Sequence, residues 1–172
     1  MRQTQERISK SYDKRALLVG GLAGVVAGAV LCGVVMVTVL PSMMIVTHES
    51  ELGFDETVAA LENSIAKQGW VVSTVMDMNK SMARHGVEFE PRVKLVKLCK
   101  PEYAKSVLTT DRHISTMMPC TFAVWETDDG KVCVSEMNMG LMAKLFGGNI
   151  AEVMGGKVVA DERTMLAGII KN

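Results

Sequence analysis

The stretch STMMPCTF, residues 115–122, places Met117 and Met118 beside Pro119 and Cys120 at the entrance to a run of strand-forming residues. Thioether and thiolate sulfurs select soft ions such as copper(I). Met117, Met118 and Cys120, with Cys99 at the end of an earlier strand-like run, therefore form a candidate soft-metal set, to which His113 could add an imidazole. Cys99 and Cys120 are also a candidate disulfide, because antiparallel neighbours joined by a short helix would bring the end of one strand beside the start of the other. A plain packing role competes with both. Free cysteine is among the most buried residue types, and methionine fills irregular gaps. Cys120 alternates with Phe122 and Val124, which favours packing, and the disulfide and metal readings stay open beside it.

Fourteen methionines widen the soft-ligand signal, with further clusters at Met76, Met78 and Met82 and at Met137, Met139 and Met142, none at a fixed ligand spacing. His48 and His85 stand alone. The sequence holds no HExxH, paired CxxC, P-loop, dinucleotide fingerprint or nucleophile elbow. Glu88 and Glu90 share one side of an extended segment and read as solvated acids. No catalytic residue and no cofactor is expected, with copper(I) as the one candidate ion, and an enzyme is the minority reading.

The elements that must position these residues begin in a membrane. Residues 16–40 carry no charge and are long enough to cross a bilayer as a helix. Arg2, Arg7, Lys10, Lys14 and Arg15 precede this span, whereas residues 41–66 contain no Lys or Arg. By the positive-inside rule, residues 1–15 are cytoplasmic, and residues 41–172 form a periplasmic domain on a bacterial inner-membrane protein that crosses once. Gly20, Gly24 and Gly28 recur every four residues, a face on which a second helix can approach closely and pair. The exposed part is nearly neutral and has no basic stripe, so no nucleic-acid partner is expected. The expected partners are the membrane itself and either a second copy of the chain or another membrane subunit.

Within residues 41–172, SMMIVTHES reads as a first strand. Phe54, Val58, Leu61 and Ile65 then mark an amphipathic helix closed at Gly69. Residues 70–78 read as a strand, 79–86 as a helical turn or two, 93–99 as a strand and 101–110 as a short helix with Pro101 in its first turn. A hairpin follows, with its turn at Asp128, Asp129 and Gly130, which puts Phe122, Val124, Val132 and Val134 on one face. The tail reads as helical, with breaks at Gly147-Gly148 and Gly155-Gly156. The fold class is α+β: a single transmembrane helix, then a small α/β sandwich of about five strands with helices against one side.

From Met43 to about Ile170 the chain resembles the domain of unknown function 302. The resemblance rests on FDETVAALENSIAKQGW, HGVEFEPRVKLVKLCKPEYA and MMPCTFAVWETDDGKVCVSEMN, and most specifically on LCKP (98–101) and MPC (118–120). It implies a compact α+β sandwich that tends to dimerise and no established reaction. The anchor is an addition to that pattern. Together these readings make the protein a membrane-anchored binding or assembly domain, an accessory subunit of a membrane complex, with soft-metal or thiol redox chemistry as the alternative.

Overall fold

A computed structural model describes residues 2–171, with side chains from Leu17 onward, and divides the chain into two compact units after Ser42. The side chains of the basic residues expected to set membrane orientation lie outside the described ones.

In the first unit, helix α1 (Arg2–Thr38) is continuous. It starts well before the predicted apolar span, because Arg, Gln, Glu and Lys are themselves good helix formers. Its segment Leu17–Thr38 is 22 residues long, with no part of its apolar window buried, and is long and apolar enough to cross a membrane. At 1.5 Å per residue it reaches roughly 33 Å. Nothing lies within 4 Å of where a Cβ would sit on Gly20, Gly24 or Gly28, so that face is open. A short helix α2 (Leu40–Met44) follows, which takes Ser42, Met43 and Met44 out of the predicted first strand.

The second unit is built on one antiparallel sheet, β1 (Ile45–Glu49), β2 (Val71–Asp77), β3 (Val93–Cys99), β4 (Cys120–Glu126) and β5 (Val132–Met137), in the order β1-β5-β4-β3-β2. Helix α3 (Phe54–Lys67) buries the predicted Phe54, Val58, Leu61 and Ile65. It ends where Gly69, at φ 72°, takes the left-handed conformation that a side chain disfavours. Helix α4 (Met78–Ala83) is capped by Asp77, whose side chain accepts from Lys80 N at 2.9 Å, and α5 (Pro101–Thr110) has Pro101 in its first turn. A 3-10 segment (Arg112–Met117) then leads into β4. The hairpin register is the predicted one: Val124 faces Val134, Glu126 faces Val132, and the four predicted residues are buried. Each of the larger apolar side chains so buried contributes about 1.5–3 kcal/mol.

After β5, α6 (Met139–Phe146) stops at Gly147, which sits at φ 71°. The second predicted break is absent. From α7 (Gly148–Glu152) the chain runs through a π-helical stretch, Val153–Val158, directly into α8 (Val159–Leu166). Gly155 serves packing there, since an added Cβ would lie 2.8 Å from Ala143 Cβ on α6. The core comprises Val96, Leu98, Phe122, Val124 and Val134 from one sheet face and Leu61, Ile65, Val153, Val158 and Met165 from the helices.

Gly155→Ala is expected to destabilise the domain by about 1–3 kcal/mol, because two Cβ atoms cannot occupy that gap. Gly156→Ala, with nothing within 4 Å, should be neutral or slightly stabilising. Denaturant unfolding of both variants checks the contrast.

Candidate functional site

The strand pairing brings the two predicted cysteines near each other but out of register. Cys120 lies opposite Leu98, and Cys99, one residue on, lies opposite Val71. Side chains alternate along a strand. Cys120 accordingly belongs to the core cluster and Cys99 does not. Both border one small cavity of about 20 Å³ with Met118 and Pro119, room for roughly one water. Met117 borders a different cavity of about 240 Å³, which Pro119 and Cys120 also line, and His113 is exposed and lines neither.

All four cysteines are free thiols. Burial pushes the Cys120 thiol up to about 12, with the neighbouring Glu162 and Cys99 adding to it. Burial, then Glu102, raises Cys99 as well. Both are neutral thiols near pH 7, whereas nucleophiles and metal ligands are thiolates. Among the described residues no three His, Cys, Asp or Glu side chains converge as a metal site.

Lys100, in the LCKP segment, has a packing role. Its Nζ donates to Asp161 Oδ2 at 3.1 Å and lies 4.7 Å from the Tyr103 ring centroid, and Trp70 Nε1 donates to the same Asp161 oxygen at 2.9 Å. Burial raises the Asp161 carboxyl, but the Trp70 and Lys100 hydrogen bonds outweigh it and the net shift is downward. This network joins the end of β3 to α8. At the opposite end of the strand Arg92 stacks 4.2 Å from the Phe54 ring centroid and grips Glu126 with two hydrogen bonds, at 3.0 and 2.7 Å.

The unbalanced polar groups lie elsewhere. Glu136 on β5 and Glu162 on α8 meet at a cavity of about 270 Å³ under the covered face of the sheet. Glu162 is 6% exposed and makes no hydrogen bond or ion pair with the described residues. Glu136 Oε2 is buried without a partner. Burial raises Glu136 to about 7. Burial, reinforced by the charges of Glu136 and Asp161, raises Glu162 to about 8. His48 from β1 and Arg163 from α8 complete the titratable lining.

The sequence carried a signal for both acids. Glu136 continues the inward phase of Val132 and Val134, and Glu162 stands four residues after Val158 and four before Leu166, on the buried side of the helix. Glu88 and Glu90 are exposed, as predicted.

A family model described as "Domain of unknown function DUF302" matches residues 46–172. Among solved structures, the chain is similar to an uncharacterized conserved protein DUF302 from Bacillus stearothermophilus. The two share 18% identity and a TM-score of 0.64 over 72% of this chain and 96% of that one, a likeness of fold. No curated protein matches.

The acid pair sets a pH dependence. In the folded chain both carboxyls hold protons above the ordinary glutamate value of 4.5, so the unfolded chain releases protons first as pH rises. Stability contributed by the pair is full below about pH 4.5 and falls as pH climbs to about 8. Glu162→Gln is expected to flatten this slope and raise stability at the upper end by a few kcal/mol, on the order set by the shift. Thermal unfolding of both chains across that range checks it.

Proposed function

This chain belongs to the family of the domain of unknown function DUF302, and we propose that it works as a single-pass, membrane-anchored binding and assembly domain without catalysis of its own. In this reading α1 crosses the bacterial inner membrane with its basic end in the cytoplasm, and residues 41–172 stand in the periplasm. There the domain serves as an accessory subunit or pairs with a second copy.

The observation that carries the reading is the composition of the sheet face turned away from the helices. A sheet covered on one side normally shows polar residues on the other. Here the outward row that crosses the sheet is Met76, Leu95, Ala123, Ser135 and Thr47, and the next contains Val93 and Trp125. Ile45 and Val71 are 53% and 54% exposed at its margins. The apolar part of this face, Met76, Leu95, Ala123, Val93 and Trp125, is bordered by Thr74, Lys97 and Thr121 and by Thr47 and Ser135, an apolar patch with a polar rim of the kind that marks an interaction site. Leu95, Ala123 and Trp125 lie outside the core cluster, so little in the domain's own packing accounts for them. The open glycine face of α1 supports a second contact, helix against helix.

Copper(I) or thiol redox chemistry is the second reading. It is favoured by the shared cavity of Cys99, Met118 and Cys120 and opposed by the burial that keeps both thiols protonated.

Leu95→Glu puts a charge at the centre of the outward face, and Gly24→Leu fills the glycine face of α1. Each is expected to shift the full-length chain in mild detergent toward smaller particles by light scattering, and the two together to give a single chain per micelle. Unchanged particle mass in the double variant would overturn assembly through these surfaces.

A further inference from the structure

We propose that the cavity between Glu136 and Glu162 is a binding site for a small molecule carrying a primary ammonium group. Neither the assembly surface nor the sulfur cluster includes it. Glu136 Oε2 is a buried acceptor without a donor, which forfeits its solvation, and Glu162 stands at the same cavity. Glu162 is more than nine-tenths buried, lines the cavity and makes no side-chain hydrogen bond among the described residues, so a ligand standing there would be its donor.

The chemistry of the lining selects the ligand. Two carboxylates facing one space repel, and a cation between them relieves that repulsion and the missing hydrogen bonds together. A compact ammonium carries three donors, enough to serve both glutamates. A divalent cation such as calcium needs six or more oxygen ligands, whereas of Asp, Glu, His and Cys the lining adds only His48 to the two glutamates, and among the described residues no three such side chains are placed to hold a metal. The remaining walls include Val46, Met139, Val159 and Leu166, which suit an alkyl chain. A cavity of about 270 Å³ falls below the range for drug-sized ligands and limits the occupant to a few carbons. Arg163 borders the same cavity and is exposed, without an ion-pair partner among the described residues, which gives a carboxylate at the far end of the ligand a counterion. Free amines and amino acids share the required ammonium, and Arg163 tells them apart.

The test uses the full-length chain in detergent micelles near pH 8, with n-butylammonium, 5-aminopentanoate and pentanoate as probes in calorimetric titration. Saturable one-to-one binding of either ammonium probe is expected, with no binding of pentanoate. Glu162→Gln and Glu136→Gln should each weaken it by about tenfold or more. If 5-aminopentanoate binds more tightly and Arg163→Gln removes only that advantage, the occupant is of the amino-acid type. If the two ammonium probes bind alike, it is a simple amine. Thermal unfolding of the variants verifies that they are folded. Lack of saturation by both ammonium probes, equal binding of pentanoate, or undiminished binding in folded Glu162→Gln would overturn the site.

Discussion

One sheet with two unlike requirements governs this molecule. The face bearing Val96, Leu98, Phe122, Val124 and Val134 must be sealed from water, and the chain supplies only short helical pieces to seal it. α3 provides a regular stripe of four apolar residues at helical spacing. The C-terminal half completes the cover by running α7, the π-helical stretch and α8 as one continuous piece, which Gly155 lets settle onto α6. The ends of this cover are pinned by polar clamps: Lys100 and Asp161 at one side, and the buried pair of Ser50 and Thr57, whose hydroxyls lie 2.7 Å apart, beside the tail carbonyl of Ile169. Where the cover meets β5, the seal is incomplete, and Glu136 and Glu162 stand in the gap.

The parts legible in the sequence are those governed by local periodicity. α3, the β4–β5 hairpin and the proline-started α5 follow from apolar spacing, a three-residue turn and the tolerance of a first turn for proline. Gly155 and Gly156 show the limit of such reading. Glycine pairs commonly break helices, but here tertiary contact with Ala143 decides their role, and that contact joins residues far apart in sequence. The sulfur residues show another limit. Order along the chain correctly brings Cys99 near Cys120, but the register that sets Leu98 opposite Cys120 is a property of the paired strands. The acid pair is not singled out in the sequence, although both residues keep the phase of the buried valines around them.

The opposite face of the sheet gives the domain its outward character. Its central row is apolar at Met76, Leu95 and Ala123, where solvent would favour polar residues, and half-buried Trp125 uses its one side-chain donor on Ser135 Oγ, 2.8 Å away. If α1 is a tether, as proposed, it changes the value of such a surface. Anchoring raises the effective concentration of partners confined to the same membrane, so a face too weak to associate in dilute solution can associate there. In the proposed reading, an anchoring α1 and the outward face together support a protein that binds and assembles. Cys120, with Met117 and Met118 packed against the core beside it, fits the same picture, and burial holds the Cys120 and Cys99 thiols neutral.

The most direct test of this account is oxidative footprinting of the full-length chain, since Met76 and Trp125 carry readily oxidised side chains on the outward face. Their oxidation rates would be compared between native membranes and detergent dilute enough to isolate single chains. The account predicts slower oxidation of Met76 and Trp125 in the membrane, with exposed residues on the helix side, such as Leu145 and Phe146, unchanged. Equal rates at Met76 and Trp125 in both states would contradict it.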